Sequence, residues 1–202
     1  MVRIELLDGT TDPKFGTALR MSFAEIAKYH PMEVSVAPGS TDYVGYNQVK
    51  NAEKGAFNSR RNQLHATRFL CNMIENDNGL YGINTMILTE QDIYDDGLNW
   101  AFGGVKSDAA GGKHLILSVA RLNNLEALTH TGIHELGHIY GAAGDLRRSN
   151  TESNLGPHCT NFCVMEQKLD VQLMLEQSRR LSSKKDKFCY QCINDIMNYR
   201  GI

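Results

Sequence analysis

Residues 134–141, HELGHIYG, set two histidines four positions apart with a glutamate directly after the first. On a helix, side chains four apart project from one face about one turn apart. His134 and His138 can therefore both reach one metal ion at ~2.0–2.1 Å. Glu135 lies about 100° further round the helix, which carries its carboxylate past the ion toward a water. Zinc held this way lowers the water's pKa and polarises a carbonyl, while the carboxylate takes the proton and later hands it to a leaving amine. Gly141 has its own task, because a helix that must stop abruptly needs a residue free to enter the left-handed region. The chain can then turn back and present a third ligand. Where the commonest extended form of the motif has another histidine this chain has Gly144, which leaves three candidates: Asp145, His158 and Glu152.

A second chemistry lies in the cysteines. Of the five, Cys159 and Cys163 stand in HCTNFC and Cys189 and Cys192 in CYQC. Two close pairs in one chain are what a tetrahedral thiolate zinc site requires, each pair forming one jaw of the grip. In a reducing compartment disulfides do not persist, so metal ligation is the better explanation for the cluster. Cys71, among Leu70, Met73 and Ile74, reads as a small apolar packing residue.

Together these motifs resemble the archaemetzincins, a branch of the metzincin zinc peptidases whose pattern is HExxHxxGxxHCx4CxM followed later by CxxC. His134, Glu135, His138 and Gly141 match its first part; His158, Cys159, Cys163 and Met165, in GPHCTNFCVM, match the second; Cys189 and Cys192 match the third. ILTEQDIY (87–94), LNWAFGG (98–104) and ILSVARL (116–122) are similar to the family as well, so the resemblance spans roughly residues 59–193. There are two departures. Sixteen residues, AAGDLRRSNTESNLGP (142–157), separate Gly141 from His158 where the family has two, and three rather than four separate Cys159 from Cys163. The first reads as a surface insertion, tolerated because closure entropy rises only ~0.6 kcal/mol per doubling of a loop.

The resemblance implies two Zn2+ ions. His134, His138 and His158 would bind a catalytic one, with Asp145 the competing third ligand and Glu135 general base and acid. Met165 would be the methionine of a tight turn forming a hydrophobic floor under the metal. Cys159, Cys163, Cys189 and Cys192 would hold a structural zinc that anchors the loop bearing His158. By the same resemblance HLILSVARL (114–122) is the edge strand of the cleft, to which a peptide adds antiparallel.

These residues need a scaffold. Hydrophobic residues make up 42% and charged ones 22% of 202, which suits one domain with a sizeable core. RIELL, MEVSV, INTMILTE (83–90), LNWAFGG and HLILSVARL read as strands. TALRMSFAEIAKYH, residues 59–77, the run from an Asn124 cap to HELGH, LDVQLMLEQSRRL (169–181) and INDIMNY read as helices. Residues 37–58 are rich in Gly, Asn and Ser and read as loop, with at most a short strand at DYVGY. The fold expected is α+β, α/β/α-like and zincin-like. A lobe of residues 1–141, with a mixed twisted sheet and two long helices, ends in the active-site helix; a small lobe, 142–202, carries the insertion and the tetrathiolate. Glu90, Asp92, Asp95 and Asp96 read as a solvated strand end, and His30, His65, His114 and His130 as incidental.

A net charge of −2 gives no reason to expect nucleic acid or an anionic membrane as partner. No stretch approaches ~18 apolar residues, and Asp8 interrupts the start before any signal-like run, so a cytoplasmic monomer acting on peptides or proteins is expected. With no cysteine switch in view, the insertion is where restraint on cleft access is expected. The alternative from another class is a catalytically inactive, zinc-stabilised binding protein of the same fold. A pure binding scaffold, however, has no need of Glu135. An accidental HExxH in a small interaction module leaves Gly141 and the joined His158–Cys159 step unexplained.

Overall fold

The computed structural model describes residues 2–10, 12–37, 44–75, 80–122, 124–144, 147–153 and 156–200. In chain order its elements are β1 (Val2–Asp8), α1 (Pro13–Ala27), β2 (Met32–Ala37), α2 (Val44–Ala56), β3 (Phe57–Asn58), β4 (Gln63–His65), α3 (Ala66–Glu75), β5 (Asn84–Thr89), β6 (Ile93–Tyr94), β7 (Gly103–Ser107), β8 (Lys113–Ser118), α4 (Leu125–Ile139), β9 (Thr151–Glu152), β10 (His158–Cys159), α5 (Val171–Ser182) and α6 (Tyr190–Met197). They fall into two compact units, one of residues 1–16, 32–123 and 202, the other of residues 17–31 and 124–201. The boundary expected after residue 141 thus lies inside the second unit. The reason is packing: Gly132 of α4 sits against Ser22 and Leu19, and Gly137 against Met165 and Phe188.

The first unit is built on a five-stranded sheet in the order β2-β1-β5-β8-β7, parallel except for β7. Met86, Ile87 and Leu88 are buried at consecutive positions, as are Leu115, Ile116 and Leu117, the pattern of strands covered on both faces. Register aligns Leu7 with Ile87 and Ile87 with Ile116. These three join Val49, Ala52 and Ala56 of α2 and Phe69, Leu70 and Met73 of α3 in one core cluster. A small sheet, β3-β4-β6, has two strands before α3 in the chain and one after it.

Four expectations change here. Residues 44–56, read as loop and partly as strand, form α2, because Val49, Ala52 and Ala56 recur at helical spacing and bury against α3. The helix expected over 59–77 starts only at Ala66, since residues 57–65 form the β3–β4 hairpin with Asn62 at φ 55°. Of LNWAFGG, residues 98–102 lie outside the strand, Ala101 alone among them bridging to Ile93, and the strand proper runs from Gly103 to Ser107. Finally, HLILSVARL is not an edge: β8 is flanked by β5 and β7, and the antiparallel β7 is the outer strand. Among the described residues no helix is long and apolar enough to cross a membrane.

Candidate metal centres

Helix α4 is fixed at both ends. Asn124 caps it, its side-chain oxygen accepting from the amides of Glu126 (2.8 Å) and Ala127 (3.2 Å). At the other end Gly141 takes φ +71°, the Gly141 amide donates to His138 O and the Ala142 amide to Gly137 O. That pair of bonds is the Schellman arrangement, so the helix stops where the sequence requires it to.

One turn before that stop, three imidazoles converge. The metal-binding nitrogens available on His134, His138 and His158 all lie within 4.8 Å of one another. His134 Nε2 and His138 Nε2 are 3.1 Å apart, close to the ~3.3 Å edge of a tetrahedron with ~2.0 Å metal–nitrogen bonds. The other ring nitrogens orient the set. His134 Nδ1 donates to the Val164 carbonyl at 2.7 Å, and His158 Nδ1 to the Gly156 carbonyl at 2.9 Å, which leaves each Nε2 as an acceptor. Burial, then the nearby His158, lowers the His134 pKa to about 4, so its ring is neutral, the form that binds metal. Glu135 is buried beside it, and burial alone pushes its carboxyl up to about 8.

The segment 142–157, expected to be a surface insertion, leads into His158. Its Thr151–Glu152 forms β9, which pairs antiparallel with His158–Cys159 as β10, and the Thr160 amide donates to Asn150 O at 3.0 Å. Glu152, opposite His158 in this ladder, is exposed and outside the converging group. Asp145, the competing candidate, lies outside the described residues.

Cys159, Cys163, Cys189 and Cys192 form the second cluster, their sulfurs all within 4.8 Å. Cys159 and Cys189 sulfurs are 3.7 Å apart and those of Cys163 and Cys192 3.9 Å. A tetrahedral zinc with ~2.3 Å Zn–S bonds has edges of ~3.8 Å, which these two separations match. Residues that the motifs did not single out surround it. Asn161 donates to the sulfurs of Cys159 (3.4 Å, backbone) and Cys189 (3.5 Å, side chain). Arg147 donates to Cys192 (3.1 Å) and Cys159 (3.3 Å). Neither residue carries a signal in its type or spacing. Gly137 was not singled out either, although a glycine inside HELGH is itself a signal: a Cβ there would meet Met165 Sδ at 2.3 Å, so glycine lets the fully buried Met165 lie against the helix.

Cys71 is half-buried in α3, outside the helix's buried set of Ala66, Phe69, Leu70 and Met73. The four other histidines all have partners. His114 is wholly buried between Thr85 and Asp108, His130 bonds Ser178 at 2.6 Å, and His30 bonds the Pro31 and Tyr199 carbonyls. His65 groups with Asp95 and Asp96, the latter exposed, while Asp92 is held by Arg121 and Gln63 rather than solvated.

No family model matches the chain. It is 31% identical over 144 residues to the archaemetzincin of Nanoarchaeum equitans (strain Kin4-M), covering 71% of this chain and 68% of that protein. It is 30% identical over 118 residues to the archaemetzincin of Archaeoglobus fulgidus, covering 55% and 59%. The fold is similar to crystal structures of an archaemetzincin from Methanopyrus kandleri (TM-score 0.62, 23% identity, 96% of this chain and 93% of that one) and of the Archaeoglobus fulgidus protein complexed with malonate (0.59, 24%, 96% and 100%). It is also similar to that of a zinc-dependent peptidase from Methanocorpusculum labreanum (0.61, 18%, 97% and 100%).

Proposed function

The chain belongs to the archaemetzincin family, and from that premise we propose that it is a zinc peptidase whose catalytic ion is held by His134, His138 and His158. The observation that carries this reading is the convergence of three imidazole nitrogens, two of them oriented by backbone carbonyls, beside a buried glutamate. A zinc ion bound there supplies Lewis acidity, activating water and polarising the scissile carbonyl. The chain's own part is positional and protonic. His134 and His158 are held in one tautomer, so neither ring has to reorient. Glu135 takes the proton of the attacking water on its carboxylate and passes it to the leaving amine. Its carboxyl is buried beside the histidines, which keeps bulk water from competing for that proton until the amine departs. Met165, packed under Gly137, is the methionine of the tight turn and forms the apolar floor of the site. The four cysteines hold a second, structural zinc.

Peptide hydrolysis by Glu135→Gln, with metal content measured alongside, tests the assignment. Retention of both ions with hydrolysis reduced by about 10²- to 10⁴-fold is expected of a lost general base. Undiminished hydrolysis in that variant would remove Glu135 from the chemistry. No hydrolysis of any peptide by the fully loaded parent would favour the binding-protein reading.

A further inference from the structure

Arg147 lies in the inserted segment, yet its side chain is only 7% exposed. Each terminal guanidinium nitrogen touches one sulfur: Nη1 lies 3.1 Å from Cys192 Sγ and Nη2 3.3 Å from Cys159 Sγ. The rest of the group is fixed as firmly. Nε donates to Ser149 O (3.1 Å), Nη2 to Gln191 Oε1 (2.8 Å) and Nη1 to Asp195 Oδ2 (3.2 Å). Gln191 Oε1 also accepts from Asn150 and Asn161, and Asp195 from the Ala143 amide. The insertion is thereby tied to α6, which carries Cys192.

A tetrathiolate zinc centre has a net charge of −2, and every sulfur keeps lone pairs directed away from the ion. Those lone pairs make bound thiolates nucleophilic toward electrophiles. A buried cation with a rigid fork of N–H donors across two of the four sulfurs lowers that nucleophilicity and offsets half the charge. We propose that Arg147 is a cationic member of the tetrathiolate centre, and that the insertion protects the structural zinc of this chain against electrophilic attack on its sulfurs. The proposal rests on the reading that the four cysteines hold zinc.

The test uses the fully loaded protein, N-ethylmaleimide as electrophile, and a chromogenic chelator to follow released metal. Arg147→Met, which keeps the apolar stem, is expected to release metal about tenfold faster than the parent, the scale of one charge-assisted hydrogen bond lost. Arg147→Lys, which keeps the charge but not the fork, is expected to fall between them. With cobalt in place of zinc, the thiolate-to-cobalt charge-transfer band should move to longer wavelength in Arg147→Met and by less in Arg147→Lys. That band reports the sulfurs directly, so a variant that merely loosened the loop would leave it in place. Parent-like release with an unmoved band in Arg147→Met overturns the proposal, as does equal acceleration in the Lys and Met variants. A parent that gives up no metal on thiol modification overturns the tetrathiolate reading and the proposal with it.

Discussion

The Nδ1 of His134 lies 2.7 Å from the carbonyl oxygen of Val164, and Val164 directly follows Cys163. A ligand of one candidate metal site is thus oriented by the backbone of the other. The link is doubled, because His158 and Cys159 are neighbours in β10 and belong one to each set. The Cys159 amide closes the loop between them by donating to Met165 O at 3.0 Å. Removing a thiolate far from this loop should therefore reach the histidines. In Cys189→Ser, the structural ion is expected to be lost and the affinity of the histidine site to fall about 10- to 100-fold, as when a metal ligand loses its orienting partner. His158→Ala should leave the thiolate site loaded. Metal per chain under chelator competition measures both, and an undiminished histidine site in Cys189→Ser would show the two centres to be independent.

Gly137 should be intolerant of even one methyl group. A Cβ at this position would lie 2.3 Å from Met165 Sδ, 3.2 Å from its Cε and 3.2 Å from Phe188 Cε1. Met165 is fully buried and Phe188 nearly so, which leaves little room to yield. Replacing a mid-helix glycine by alanine ordinarily stabilises a helix by about 1 kcal/mol. Here overpacking, at about 1–3 kcal/mol, outweighs that gain. Gly137→Ala should lower the thermal midpoint and weaken metal binding together, since Gly137 lies on α4 between His134 and His138 in sequence and the Cys159 amide, next to His158, bonds Met165 O. A raised midpoint with unchanged metal affinity would show that the loop gives way freely.

The motif residues were legible in the sequence because their spacing is local. Two histidines at i and i+4, a glycine that must stop a helix and two cysteine pairs each announce a geometry within one turn or bend. His158 was named from its place beside Cys159 by family resemblance, not from geometry, since the sixteen residues between Gly141 and His158 carry no distance information. What stayed hidden was contact between segments far apart in the chain. Nothing in LRRS marks Arg147 as the residue that reaches Cys192. The carbonyl of Val164 orients His134 whatever side chain Val164 carries. In the scaffold, α2 was missed because Gly45, Asn47, Asn51 and Gly55 mimic a loop, while the helix is sustained by Val49, Ala52 and Ala56 packing on α3. The sheet order, and hence which strand is outermost, follows from pairings that no single strand's pattern encodes.

Asp108 illustrates the same blindness within the first unit, and its replacement should be costly. Its carboxylate accepts from the amides of Gly82 (2.6 Å), Ala110 (2.8 Å) and Gly112 (2.9 Å), and pairs with His114 Nε2 at 3.0 Å. His114 in turn reaches Thr85 Oγ1 at 2.9 Å, and the Asp108 and His114 side chains are both inaccessible to solvent. Burial works to raise the Asp108 pKa, but the Gly82 amide, His114 and the other amides outweigh it and hold the carboxyl below its ordinary value. Asp108→Ala leaves the His114 ring and these amides without their acceptor and should cost about 3 kcal/mol. Chemical denaturation of parent and variant measures the difference, and a loss below about 1 kcal/mol would mean that water replaces the carboxylate.

His130 should make stability pH-dependent in a defined window. It is 6% exposed on α4, and burial, helped by Lys187 and opposed by Glu25, lowers its pKa to about 4. The neutral ring accepts from Ser178 Oγ at 2.6 Å. Unfolded, the same ring titrates near its ordinary value of about 6.5. Between these limits the unfolded chain binds the extra proton, so stability rises with pH across the window. The contribution is complete above about pH 6.5 and is lost as pH falls to 4, reaching up to about 3 kcal/mol at 1.36 kcal/mol per pKa unit. Other groups titrate over the same range, so the informative quantity is the difference between parent and His130→Asn, which keeps a polar partner for Ser178. That difference should change progressively from pH 7 to pH 4, the parent falling more steeply. Parallel curves would place the titration of His130 outside the window and show that its ring is reached by water in the folded state.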